Sequence, residues 1–452
     1  MMKMSILLIR PRQNENDSVG IPLGLLYIAS VLKKNEFDVK VIDCANNNIQ
    51  DSNLKHIIKQ ENPEIIGITN QYSIFKENAI NICRMAKKIN ENVTTIIGGN
   101  HATVSPEDFL TEGFDIVVRG EGEFTMLDIV NDKPLSKIRG ISYVQNQKIK
   151  NNMPRKPILN LDNIPLPAYE MINMEDYFVK NARFSYFDDV SNRSISVITS
   201  RGCPNNCCFC SVHLSLGHFW RPNSVEYVLN HLQLLTTKYG VKNVDFEDDN
   251  LTFNPKRFEA ILDGMKERGI NITWRTPNGV RVDTLNRRLL RKMRESGLKR
   301  LVIGVESGSQ RVIDNVIDKK IKLKDVVRIS KIAKEEKISL SAFFIIGLPG
   351  ETKSDINKTL NFALMLNKKY GVVPQLTKAD ARVGTRMTEA CMKNNYLKNG
   401  RISTEEFTAE DIDALYKDFY RNFLWSLPFK INIKNLVNYR KEIVKLVKSR
   451  IT

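Results

Sequence analysis

Short apolar runs separated by longer amphipathic stretches recur along most of the chain. In residues 1–135 the runs at 6–9, 39–42, 65–69, 94–97 and 116–118 predict strands, and helical periodicity begins near Gly24, Lys76 and Pro106. Strands alternating with helices at this spacing predict a doubly wound, Rossmann-like parallel sheet. Ligands on such sheets collect at the carboxyl ends of the strands, which would gather Arg10, Pro11, Asp43, Asn70, Gln71 and the Gly98-Gly99-Asn100-His101 turn around one crevice.

Residues 136–190 contain two short strand-like runs, at 141–144 and 148–150, and then Pro165 and Pro167, which fit an extended connector. A second strand-helix series follows, with strands at 195–199, 244–247, 273–276, 300–305, 341–346 and 373–378. Six such units predict a partial (β/α)6, TIM-like barrel with its site at the strands' carboxyl ends. From Thr404 the pattern is helical. The segment from Phe429 is basic and amphipathic, with Ile433, Leu436, Ile443 and Leu446 on one side. It reads as a docked surface helix, with peripheral contact at a membrane surface as the alternative. The organisation expected is therefore a Rossmann-like domain (1–135), a linker with short strands (136–190), a partial barrel (191–380) and a C-terminal helical region (381–452).

A chain of 452 residues exceeds one compact core, and 42% hydrophobic with 26% charged residues fits folded domains throughout. No apolar run approaches the roughly 18 residues of a membrane span. The opening MMKMSILLIRPR ends without a small-residue cleavage site, so it reads as a first strand and points to a cytoplasmic location. The net charge of +17 permits an anionic partner, such as a phosphorylated substrate, nucleic acid or membrane surface. Lysines spread over solvated faces account for it equally well.

The stretch SRGCPNNCCFCS from Ser200 changes the picture, because it holds four of the seven cysteines. In a reducing compartment clustered thiols are metal ligands or catalytic groups more often than disulfides. Cys44, Cys83 and Cys391 stand alone and read as small buried apolar side chains. Cys203, Cys207 and Cys210 form C-x3-C-x2-C, a set that can hold a [4Fe-4S] cluster with one iron left open, whereas structural clusters normally use four cysteines. Cys208 adjoins Cys207, so its side chain should point elsewhere. Structural zinc on Cys203, Cys207, Cys210 and His213 is the competing reading. The loop leaves the first barrel strand at its carboxyl end, a position that favours chemistry.

With Phe209 before its last cysteine, the loop resembles the signature of the radical S-adenosylmethionine (SAM) superfamily. Later segments strengthen the resemblance: EDDNLTF from Glu247, NGVR from Asn278, GVESGS from Gly304 and FIIGLPGET from Phe344. Together they cover about residues 194–370. The resemblance implies SAM contacts at Phe209, Glu247, Asp248, Asp249, Asn278, Arg281, Glu306, Ser307 and Gly347. The N-terminal domain resembles the cobalamin-binding subfamily through IPLGLLYIAS from Ile21, IGGNHATVSPE from Ile97 and VRGEGEFT from Val118. This implies cobalamin contacts at Pro11, Leu23, Gly24, Asp43, Asn70, Gln71, Gly98, Gly99, His101, Gly120, Glu121 and Glu123. The sequence DCANNN from Asp43 lacks the D-x-H-x-x-G motif that places a histidine on cobalt. Cobalamin is thus expected base-off with no histidine on cobalt, and His101 reads as a lining or capping residue.

The resemblance implies that one electron, from a donor such as flavodoxin or ferredoxin, cleaves SAM to a 5′-deoxyadenosyl radical. Methylcobalamin then supplies a methyl group to an unactivated carbon. Cyclisation, ring rearrangement or oxidation without methyl transfer is the alternative within the family, and a cofactor sensor or zinc-stabilised module the alternative outside it. A tRNA methylthiotransferase would carry a second N-terminal cysteine triad and an RNA-binding barrel, neither of which is visible, so nucleic acid is disfavoured as a partner. The expected substrate is a small or lipid-like molecule, anionic if the charge is informative. Val383-Gly384-Thr385 stands where a Pro-Gly-Thr turn is expected, so the substrate-side wall departs from the family pattern.

Overall fold

The computed structural model describes residues 4–13, 20–71, 73–180 and 191–426. Strands β1 (Ser5–Arg10), β2 (Asp38–Asp43), β3 (Ile65–Thr69), β4 (Thr94–Gly98) and β5 (Ile116–Val118) are parallel, in the order β2-β1-β3-β4-β5. β1 and β3 read as unbroken apolar runs because both faces of the sheet are covered. Ile6 and Leu8 pack towards the helix Leu23–Lys34, while Leu7 and Ile9 pack with Leu54, Ile58 and Ile80 on the other face. The helix Asp51–Glu61 has no counterpart in the sequence reading. It buries only Leu54 and Ile58, an i,i+4 pair in an otherwise polar stretch, too narrow a stripe to stand out. Near Pro106 the chain forms two short helices, Asn100–Val104 and Glu107–Leu110, because the proline at the junction cannot supply a backbone N–H to a continuous ladder.

The short strands after residue 136 are β6 (Ile141–Gln145) and β7 (Lys148–Asn151). They pair antiparallel onto β5 and extend the sheet to seven strands. The second series begins with β8 (Ser194–Val197), followed by a two-residue antiparallel ribbon of β9 (Ser200–Arg201) and β10 (Arg221–Pro222). Then come β11 (Asn243–Phe246), β12 (Thr273–Arg275), β13 (Leu298–Glu306), β14 (Leu340–Ile346) and β15 (Val373–Lys378). β8 and β11–β15 form one parallel six-stranded sheet in chain order, a partial barrel with β8 and β15 at its edges. Between sheet and helices, Phe246, Phe258 and Trp274 meet edge to face with centroids 5.6–6.3 Å apart. The helix Ala409–Ser426 covers the β15 edge, where the Tyr420 hydroxyl donates to the Leu376 carbonyl and accepts from its N–H, both at 3.1 Å. An exposed sheet edge is thereby closed.

No described helix is long and apolar enough to cross a membrane. The basic segment from Phe429 lies outside the described residues.

After β14 the chain turns through Gly347, at φ +85°, and the Glu351 carboxylate accepts the N–H groups of Gly347 and Leu348 at 2.8 Å each. Its other oxygen is buried with no partner among the described residues. Burial pushes this carboxyl up to about 8 despite the two donors. The folded state then holds a proton that the unfolded chain releases near its ordinary value of about 4.3. Stability should fall as pH rises from there to about 8, by on the order of a few kcal/mol, and level off above. Glu351→Gln keeps an acceptor for both N–H groups without the charge, so it should match the parent near pH 5 and exceed it at pH 8. Denaturation midpoints at the two pH values check this; an unchanged pH dependence would contradict the assignment.

Candidate functional site

The carboxyl ends of the two sheets face a shared cavity of about 1100 Å³. That is above the ~300–1,000 Å³ of most small-molecule sites and leaves room for more than one ligand. One side is the N-terminal sheet, where the strand order reverses between β1 and β3. The other is the barrel mouth and interior, including Ser196, Asp245, Glu247, Arg275, Asn278 and Arg300, with Tyr416, Tyr420 and Phe423 of the last described helix.

The cysteine loop springs from the β9–β10 ribbon at the barrel mouth. Gly202, at φ +81°, begins it, and a β-carbon there would run into the Phe219 carbonyl. Asp248 roots the loop: it is fully buried and accepts from the Thr199 N–H and hydroxyl and from the Ser200 hydroxyl at 2.5–3.1 Å. Asp249 accepts the Gly202 N–H at 3.1 Å, and burial pushes its carboxyl up to about 6. Cys203, Cys207 and Cys210 are half-buried, while Cys208 is buried in the hydrophobic core with its N–H on the Ile317 carbonyl. Cys203 Sγ accepts from Asn205 Nδ2 at 3.1 Å. Burial pushes the Cys207 thiol up to about 12 and raises Cys210; Cys203 and Cys210 raise Cys207 further, and Cys203 raises Cys210 further. Two neighbouring thiols held up in this way lose their protons together only to a metal centre that compensates the charge. Among the described residues no three Cys, His, Asp or Glu side chains group closely enough to hold one metal ion, so the triad matches a cluster with one iron per thiolate better than a single zinc. His213, the fourth ligand of the zinc reading, instead stacks on His218 with ring centroids 4.8 Å apart.

None of the three cysteines is in the cavity lining, although Arg201 and Val212 on either side of their loop are; of the other barrel residues expected at the site, Glu247, Asp249 and Asn278 line the cavity. Glu247 Oε1 accepts the Ser196 hydroxyl at 2.6 Å, its carbonyl accepts Asn278 Nδ2 at 2.7 Å, and burial raises its carboxyl. The remainder lie behind the lining. Phe209 packs on the core, Ser307 bonds Thr359, and Arg281 pairs with Asp283 and donates to the Lys319 carbonyl at 3.0 Å. Glu306 sits at φ +72°, at a register shift between β13 and β14, and pairs with Lys319 at 2.6 Å. Left-handed backbone at a buried glutamate is strain of the kind that gathers at functional sites.

On the N-terminal side, Leu23, Gly24, Gln71, Gly98, Gly99, Gly120, Glu121 and Glu123 line the cavity, and Pro11, Asp43, Asn70 and His101 do not. Gly24 faces open space, whereas Gly99, at φ +111°, abuts the Asn70 carbonyl so closely that no β-carbon fits. Asp43 turns away to pair with Arg10 and Tyr177 and to cap the helix Cys44–Asn47, which leaves Arg10 as the lining residue. His101 is buried, with Nε2 2.8 Å from Asp108 and its ring edge-on to Phe109. Among the described lining residues there is no histidine. Glu121 and Glu123 reach across to the barrel, where Arg201 donates to both, at 3.0 and 2.7 Å, and Arg221 donates to Glu121 at 2.8 Å. The second oxygen of Glu123 is buried with no partner among the described residues, an acceptor left at the cavity wall. Glycine openings beside a buried acceptor fit a bulky, amide-bearing ring such as cobalamin. Arg10 stands in the lining at the strand end where the sequence placed it, whereas the sequence offered no sign of Arg201 or Arg221; their roles come from pairing across distant segments.

Comparison with known proteins agrees with this arrangement. The sequence matches the B12 binding domain over residues 14–130 and the Radical SAM superfamily over residues 197–363. It is 36% identical to an uncharacterized methyltransferase of Pyrococcus horikoshii, over 98% of this chain and 97% of that one. It is 29% identical to the cytidylyl-2-hydroxyethylphosphonate methyltransferase of Streptomyces wedmorensis, over 90% of this chain and 82% of that one. The fold is shared with the radical S-adenosylmethionine methyltransferase TsrM from Kitasatospora setae, solved with cobalamin and a [4Fe-4S] cluster bound: TM-score 0.73 at 14% identity, covering 88% of this chain and 79% of that one. A B12-type sheet and a radical SAM barrel closed over one cavity, each matched by its own family model in a sequence related along almost its whole length to a methyltransferase, place this chain in the cobalamin-binding radical SAM family.

Proposed function

We propose that this protein is a cobalamin-dependent radical SAM methyltransferase acting on an unactivated carbon of a small molecule. The observation that carries the reading is the single cavity shared by the carboxyl ends of both sheets. Cys203, Cys207 and Cys210 would hold the [4Fe-4S] cluster, Glu247, Asp249 and Asn278 would face SAM, and the glycine shelf with Glu123 would hold cobalamin. Bound together, these groups supply a hydrogen-abstracting radical and a methyl group, chemistry that no side chain here can provide. The chain's own residues position the cofactors and exclude water: the helix Ala409–Ser426 closes the β15 edge, and Tyr416, Tyr420 and Phe423 wall the cavity.

The histidine-free lining among the described residues and the Asp108-held His101 support cobalamin bound with no histidine on cobalt, and the base-off state belongs to the same proposal. The net charge of +17 supports an anionic substrate, as the phosphonate named for the Streptomyces relative would be, and an acidic electron donor of the flavodoxin or ferredoxin kind. The cavity wall itself carries both signs, so this charge acts on approach.

Anaerobic reconstitution with iron, sulfide and hydroxocobalamin should give about four irons and about one cobalamin per chain, and reduced protein should convert SAM to 5′-deoxyadenosine. Replacing Cys203, Cys207 and Cys210 together by alanine should remove the iron and lower 5′-deoxyadenosine formation at least about a hundredfold, the loss of an essential group rather than of one contact. Cobalamin should still bind. Retained SAM cleavage in that variant would sink the assignment. Cys208→Ala should keep its iron and lose only stability, about 1–2 kcal/mol for a small buried side chain.

A further inference from the structure

The four charges between the shelf and the cysteine loop form a closed, buried set. Glu121, Glu123, Arg201 and Arg221 have side chains 5, 6, 12 and 4% exposed. Arg201 and Arg221 are register partners in the β9–β10 ribbon, so one backbone pairing delivers both guanidinium groups to the same place. Arg201 bridges the two carboxylates and lies over the Tyr27 ring at 5.2 Å. Arg221 also donates to the carbonyls of Ile158 and Leu216, and Glu121 accepts the Ile158 N–H, so Glu121 and Arg221 are pinned from several sides. Arg201 is shared among Glu121, Glu123 and Tyr27, whereas among the described residues Glu123 has its ion pair with Arg201 alone.

This asymmetry matters because of what adjoins each partner. Only Gly202 separates Arg201 from Cys203, and Gly202 is fixed by the Asp249 carboxylate and by its crowded φ. Little slack remains between the guanidinium and the first thiol. On the other side Glu123 keeps a buried oxygen without a partner among the described residues, at the wall of the cavity. A ligand seated on the shelf would press on Glu123, which lines the cavity, and any movement of its carboxylate passes through the ion pair with Arg201 to the root of the cysteine loop.

We infer that Arg201 is a positioning residue that couples the two cofactor sites, so that filling the shelf and assembling the cluster favour one another through Glu123 and Arg201. The inference rests on the proposed function above. Coupling of this kind is reciprocal: the factor by which the cluster tightens cobalamin equals the factor by which cobalamin tightens the cluster.

The test is an anaerobic titration of hydroxocobalamin into the full chain, with and without the reconstituted cluster, followed by corrin absorption. The parent protein should bind cobalamin on the order of tenfold tighter when the cluster is present. Arg201→Met alone would leave Glu123 charged and unpaired in the interior, so the double variant Arg201→Met/Glu123→Gln removes both charges and keeps the fold, checked by its unfolding midpoint. In the double variant the ratio should fall close to one even if both affinities drop, because a lost direct contact weakens both titrations alike. Arg201→Lys, which keeps the charge without the fork, should recover part of the ratio. A double variant that retains the parent's ratio overturns the coupling role. Parent protein whose cobalamin affinity ignores the cluster overturns it too, while leaving the proposed function intact. Parent protein that binds iron but no cobalamin overturns both.

Discussion

Two carboxylates from the turn and helix after β5 and two guanidinium groups from the β9–β10 ribbon share a buried, neutral cluster that ties the N-terminal domain to the barrel beside the cavity. Such charges are expensive to remove from water, and a stranded partner costs about 3–5 kcal/mol, so the set holds only in one arrangement of the two halves. In that arrangement the switch point of the N-terminal sheet lies over the mouth of the barrel. Hydrophobic packing reinforces the geometry: the core of the Leu23–Lys34 face runs on without a break into the barrel core. Apolar contact alone would tolerate sliding, whereas the paired charges fix register.

Around this joint the barrel divides labour between neighbouring acids. Asp248 faces inward and ties down the start of the cysteine loop, while Glu247 and Asp249, on either side of it, face the cavity. The alternation is that of an extended chain leaving β11, in which successive side chains point in opposite directions. Three adjacent carboxyl-bearing residues thus serve two purposes without interfering. The cysteines follow a similar logic: Cys208 is buried in the core and anchors the loop, while Cys203, Cys207 and Cys210 stay only half-buried.

Much of this was legible in the sequence, for identifiable reasons. Strands covered on both faces appear as unbroken apolar runs, and the spacing of thiols in one loop survives without any knowledge of the fold. The carboxyl-end rule also brought Gln71, Gly98 and Gly99 to the cavity. It placed Asp43 there as well, but Arg10 next door on β1 captures that carboxylate and takes the lining position itself. His101 stands at the right strand end and is turned inward by Asp108. Arg201 and Arg221 were illegible: their partner Glu121 lies 80 and 100 residues away, and ion pairs at such separations leave no local periodicity. A sequence shows which strand ends meet more readily than which side chains turn to face one another.

The central claim is that one cavity serves both cofactors. Anomalous scattering collected at the iron and cobalt edges from crystals of the reconstituted protein tests it directly, because it locates each metal without assuming the chemistry. Iron is expected beside Cys203, Cys207 and Cys210, whose loop is flanked by the lining residues Arg201 and Val212, and cobalt in the cavity itself, on the shelf formed by Gly24, Gly98 and Gly120. Cobalt outside that cavity, or iron at any other set of residues, would contradict it.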